Sequence, residues 1–90
     1  MAAVRILVDT DIFIDYFNAG HHAGVLRRFR LVPLTPAIAA RYAAVRRSTP
    51  GLEREDALIA ATALDKRLPL MTRNWRHFRR VPGLTLYSGR

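Results

Sequence analysis

Apolar positions along the chain fall in short blocks, and the spacing within the blocks alternates between strand-like and helix-like. Val4 to Val8 is apolar except for Arg5 and rich in β-branched residues, which predicts a short buried strand. From Asp11 to Phe17 apolar residues recur at helical spacing, with Thr10 or Asp9 as the cap and Gly20 beyond the end. Ala23 to Arg30 reads as a second short helix. Leu31-Val32-Pro33-Leu34 reads as a weak strand at a sheet edge, because Pro33 has no N–H to give to a ladder. Thr35 followed by Pro36 is a helix start, a cap and then a proline at the first helical position, and that helix runs to about Arg47. Ser48-Thr49-Pro50-Gly51 ends it. A further helix over about Arg54 to Lys66 is apolar on nearly every face and leads into a buried strand at Leu68 to Thr72. A short helix over Asn74 to Arg79, a turn at Val81-Pro82-Gly83 and a last strand at Leu84 to Tyr87 complete the chain.

Strands separated by helical crossovers predict a mostly parallel sheet. The expected architecture is α/β, a small parallel sheet of about four strands covered by helices, in a single domain over residues 1–90. A chain of this length hides only about 60 to 65% of the surface it exposes when unfolded, so the core is modest. No repeat, linker or low-complexity segment interrupts it.

Two acids stand at element boundaries. Asp9 closes the first buried strand, and Asp56 opens the helix that is apolar on nearly every face. The carboxyl ends of parallel strands are where open α/β sheets place ligands. Carboxylates converging there repel one another unless a cation lies between them, and Mg²⁺ or Mn²⁺ is the hard cation that suits such a cluster. A carboxylate at the inner end of a buried strand costs stability unless it is paired or bound, which favours a functional Asp9. Asp56 taken alone also fits an N-cap. His21 and His22 are adjacent, without the spacing of helical metal ligands, and read as loop residues.

Composition adds a charge prior. The net charge is +8, which places the chain among candidates for binding nucleic acid, anionic membrane or an acidic partner. Lys66 is the sole lysine, and codon usage in a GC-rich genome accounts for that arginine bias equally well. The clusters Arg27-Arg28-Phe29-Arg30, Arg46-Arg47 and Arg73-Asn74-Trp75-Arg76-His77-Phe78-Arg79-Arg80 are the candidate phosphate-facing patches. In the last, an aromatic among guanidinium groups is able to stack on bases, although Trp75 and Phe78, three apart on a short helix, also fit a cap on the core. No apolar run approaches the roughly 20 residues needed to cross a bilayer. The chain contains no cysteine, which excludes a disulfide framework and a thiolate zinc site. With the first strand close to Met1 and no signal-peptide pattern, a cytoplasmic protein is expected.

Three segments in order resemble the PIN domain, and more closely the VapC-type ribonuclease toxins of bacterial toxin-antitoxin pairs. They are Leu7 to Tyr16, with Asp9-Thr10-Asp11, then Asp56 to Leu64, and Leu68 to Phe78 followed by Val81-Pro82-Gly83-Leu84. The resemblance implies a Mg²⁺- or Mn²⁺-dependent endoribonuclease, a hydrolase in which an acidic cluster positions the ion and activates water for in-line attack on RNA. Asp9 matches the family's first metal-binding aspartate and Asp56 the later one. Asn74 occupies a place where many members have aspartate or asparagine, although a cap of the short helix explains it equally well. Thr10, Asp11 and Thr72 are accessory candidates, and Arg73, Arg76, Arg79 and Arg80 are candidate RNA contacts.

The chain also departs from the family. Members normally carry a further strand and helices, including a metal-site glutamate, between the first helix and the Leu31 to Leu34 region. Here that stretch is replaced by a short basic segment without acids, which reads as a shortened PIN-like domain. The only glutamates, Glu53 and Glu55, sit where helix starts attract acids through the macrodipole. A shortened sheet leaves an open edge, so a homodimer or higher oligomer is expected, and the family implies a cognate antitoxin. The alternative reading is a degenerate remnant that binds RNA or an antitoxin without cutting.

Overall fold

The computed structural model describes residues 5–20 and 32–88. The expected helix at Ala23 to Arg30, the pair His21 and His22, the cluster Arg27 to Arg30, and Val4 and Leu31 lie outside the described residues. The described elements are β1 (Leu7–Val8), α1 (Thr10–Asn18), α2 (Pro36–Ser48), α3 (Arg54–Lys66), β2 (Leu70–Met71) and α4 (Trp75–Phe78). They form the small α/β domain that the alternating pattern predicts. None of the described helices is long and apolar enough to cross a membrane.

The sheet is parallel and short. Leu7 pairs with Leu70 and Val8 with Met71, and the amides of Leu7 and Asp9 donate to the carbonyls of Pro69 and Met71 at 2.8 and 2.9 Å. On its other edge β2 meets the Thr85 to Tyr87 segment through a parallel bridge between Leu70 and Leu86. There the Leu70 amide donates to the Thr85 carbonyl, and the Tyr87 amide donates to the Leu70 carbonyl. β2 is therefore the central strand. The described sheet is narrower than the four strands expected, for a local reason. Val32 to Leu34 takes no strand, since Pro33 withholds an amide and Leu34 is 67% exposed, so neither backbone pairing nor burial recruits the segment.

α2 and α3 form the main packed layer. Thr35 caps α2 by accepting a hydrogen bond from the Ile38 amide at 3.2 Å, as the Thr-Pro start predicts. Ile38 and Val45 from α2 meet a row of buried alanines on α3, Ala57, Ala60, Ala61 and Ala63. The small side chains let the two backbones approach closely. Between the helices, Arg46 Nη1 donates to the Leu52 carbonyl at 2.7 Å and holds Leu52 in the core. Leu70 from the central strand and Phe78 from α4 fill the rest of the core, with no accessible surface on either.

The turn after α4 explains how the last segment returns to the sheet. The Leu84 amide donates to the Val81 carbonyl at 3.3 Å across Pro82 and Gly83, and Gly83 has φ +79°. Proline at the second position and a positive-φ glycine at the third are the signature of a type II turn.

Candidate functional site

The carboxyl ends of β1 and β2 lie side by side, so residues 63 apart in sequence become neighbours. Asp9 follows β1 and is only 4% exposed. Its Oδ2 accepts a hydrogen bond from the Thr72 hydroxyl at 2.7 Å, and Thr72, just past β2, is 5% exposed. The same hydroxyl oxygen accepts from the Asn74 amide at 3.0 Å. A relay thus runs from the loop backbone through Thr72 to the buried carboxylate. Charge-assisted bonds of this kind are the stronger class of hydrogen bond, and this one supplies a donor that a buried Asp9 requires.

Asp56 approaches from α3. Glu53 is the N-cap of that helix and makes no side-chain capping bond, which puts Asp56 in the first turn with its carboxylate free of capping. The N-cap explanation of Asp56 therefore does not apply. Its carboxyl pKa is raised above the ordinary value of 3.8, first by burial, next by the negative charge of Asp9 and less by that of Glu53. His77 acts in the opposite direction, with its Nδ1 3.7 Å from Asp56 Oδ2. The two sequence-predicted acids are thus brought within each other's field at the end of the sheet.

The remaining candidates divide. Thr72 belongs to the site as the positioner of Asp9, and Asn74 is tied to it through its backbone amide. Asn74 is also the N-cap residue of α4, with no side-chain capping bond; its carbonyl accepts from the His77 and Phe78 amides. Thr10 and Asp11 are exposed at the start of α1, and Asp11 contributes its carbonyl as an acceptor for Arg73 at 3.3 Å. Arg73 also pairs with the carboxylate of Asp15, an exposed contact between the loop after β2 and α1. Arg80 reaches the Pro50 carbonyl at 3.5 Å, while Arg76 and Arg79 are exposed around α4.

Sequence reasoning missed His77 as a neighbour of Asp56 and Asp15 as the partner of Arg73. Nothing local marks either contact, because each joins elements remote in sequence. A larger recess of about 370 Å³ lies at the opposite end of α3 from Asp56, between Arg67, Pro69, Gly83 and Thr85, and touches none of these groups.

The donor set fits a hard divalent cation held by two carboxylates with water completing the shell. Asp9 and Asp56 are close enough to raise the Asp56 pKa, which is the repulsion a cation between them would relieve. Among the described residues no group of three or more His, Cys, Asp or Glu side chains is placed to hold a metal ion, so a fully protein-built shell is not formed there.

The family model of the PIN domain matches residues 20–84, well over half of the chain. The chain belongs to the PIN domain family. PIN domains are generally nucleases and typically use divalent metal ions. The matched span takes in Asp56, Thr72 and Asn74, whereas Asp9 precedes it and enters the site through geometry. No curated protein matches the chain.

Proposed function

We propose that the chain is a metal-dependent endoribonuclease toxin of the VapC type, a shortened PIN domain that hydrolyses RNA phosphodiesters. The observation that carries this reading is the pairing of a buried, hydrogen-bonded Asp9 with Asp56, each feeding one site from a different element. Asp9 and Asp56 would hold Mg²⁺ or Mn²⁺, with Asn74 beside them. Such an ion, when bound, lowers the pKa of its water and offsets charge on the phosphate oxygens. Thr72 keeps Asp9 aimed, and the arginines around α4 attract the phosphate backbone.

The proposal extends to partners. A cytoplasmic toxin of this type would be held by a cognate antitoxin, and the short sheet supports a homodimer or higher oligomer that covers its edges. A monomeric mass in light scattering at micromolar concentration refutes the oligomer. A second reading, a remnant that binds RNA or an antitoxin without cutting, draws on the fact that no group of three or more His, Cys, Asp or Glu side chains is placed to hold a metal ion among the described residues.

The deciding experiment incubates purified protein with structured RNAs and Mg²⁺ or Mn²⁺, beside Asp9→Asn and Asp56→Asn variants and an EDTA control. Cleavage that disappears in both variants and in EDTA is expected. Equal cleavage in all samples, which marks a contaminant, or none from folded protein, rejects the nuclease in favour of the remnant.

A further inference from the structure

Trp75 and Phe78 stand three residues apart on α4 and have opposite fates. Phe78 is fully buried and closes the core, whereas Trp75 leaves 49% of its surface exposed. A large aromatic side chain left half in water is out of place as a core cap, since tryptophan is highly buried on average. It forms part of a shallow recess of about 280 Å³ lined by Arg73, Asn74, Trp75, Arg76 and His77. That volume falls below the roughly 300 to 1,000 Å³ of enclosed small-molecule pockets, and the recess is open.

Three features of this recess select its occupant. It carries an aromatic face, it bears the guanidinium groups of Arg73 and Arg76, and it shares a wall with the acidic site through His77, which lies 3.7 Å from Asp56. Arg73 is engaged with Asp15 and the Asp11 carbonyl in an exposed pairing, which leaves Arg76 as the nearer cation for a phosphate. Arg76 is absent from the described ion pairs and is exposed. A flat, apolar ligand attached to an anionic backbone satisfies all three features at once. Nucleobases in a duplex have both faces already stacked, so the ligand is an unpaired base.

We infer that Trp75, flanked by Arg76 and His77, is the stacking platform for an unpaired nucleobase of single-stranded RNA, seated beside the Asp9 and Asp56 pair. The inference rests on reading that pair as an RNA-cleaving site and adds the residue that grips the strand, Trp75, through a base next to the cleaved linkage.

Trp75 is the sole tryptophan of the chain, so its fluorescence reports the platform directly. The test titrates the full chain in EDTA, where no metal-dependent cleavage occurs, with hexauridylate, with an abasic hexaribose phosphate of equal charge, and with a short RNA duplex. Fluorescein-labelled hexauridylate gives binding by anisotropy for Trp75→Ala and Trp75→Phe, each checked for folding by circular dichroism. Saturable quenching by hexauridylate but not by the abasic strand or the duplex is expected. Trp75→Ala should bind about 5- to 150-fold more weakly, the range of one lost base stack, with Trp75→Phe nearly unaffected.

Hexauridylate binding without quenching, unchanged affinity in folded Trp75→Ala, or no binding overturns the platform. The nuclease reading is tested separately by cleavage with Mg²⁺ or Mn²⁺. Quenching without cleavage removes the nuclease and keeps the platform, and cleavage without quenching does the reverse.

Discussion

Replacing Thr72 by valine keeps the branched shape of the side chain and removes one hydroxyl, which here serves two groups. The lost bond to Asp9 is 2.7 Å long, and both residues are at most 5% exposed, so water does not readily replace the donor. A hydrogen bond to a charged group contributes about 1.5 to 3 kcal/mol, and the partly buried Asn74 amide loses an ordinary acceptor at about 0.5 to 1.5 kcal/mol. The expected destabilisation is about 2 to 4 kcal/mol, against a total of roughly 5 to 13 kcal/mol for a chain of this size. For domains of this length each kcal/mol moves the melting point by about 4 to 8 °C. Urea and thermal unfolding in EDTA measure the loss, with Thr72→Ser as the control that retains the hydroxyl. A double-mutant cycle with Asp9→Ala should return a coupling of about 1.5 to 3 kcal/mol. Thr72→Val within about 0.5 kcal/mol of the parent, or a coupling near zero, would refute the claim that this hydroxyl anchors the buried acid.

The raised pKa of Asp56 means that the folded state holds its proton more tightly than the unfolded chain, so stability falls as pH rises through the raised value. In EDTA at pH 7, Asp56→Asn should therefore melt above the parent despite the lost His77 contact, and the gap should close as pH falls toward the ordinary carboxylate value of 3.8; a gap that widens in acid contradicts this. Mg²⁺ or Mn²⁺ should raise the melting point of the parent, by about 2.7 kcal/mol of stability at a hundredfold excess over its Kd, and leave Asp9→Asn unmoved. Gly83→Ala should cost about 1 to 2 kcal/mol through its φ of +79° and not through a clash, since the added methyl meets only Leu64 Cδ2 at an ordinary 3.6 Å. Denaturant titration decides it, with no change as the contrary result.

Much of the helical layer was legible from local chemistry. The bounds of α3 follow from its apolar run, and α2 begins where Thr35 and Pro36 place it. Asp9 at the strand end was legible for the same reason, because a short β-branched run stops at an acid. The sheet was less so. Its pairing is decided between residues far apart, and apolar content alone made Leu31 to Leu34 resemble a strand that Val32 to Leu34 does not form. The site divides in the same way. Asp56 on α3 was readable, but its place in the first turn depends on Glu53 taking the cap, and His77 reaches it only through tertiary packing. Trp75 and Phe78 look alike in sequence, and only the fold assigns one to the core and the other to the surface.

The bond between Asp9 and Thr72 spans 63 residues, whereas α2 and α3 are joined by a short turn. Closing a loop of that length carries an entropic cost of roughly 3.7 kcal/mol on a simple chain-statistics scale, and contacts so remote form slowly. The helical pair is thus expected to organise early and the β1 to β2 pairing late, which makes Thr72→Val a mutation that speeds unfolding more than it slows folding in a chevron analysis. During synthesis the consequence is an order of events. The first acid leaves the ribosome long before the residue that anchors it, so an incomplete chain carries Asp9 without its Thr72 partner.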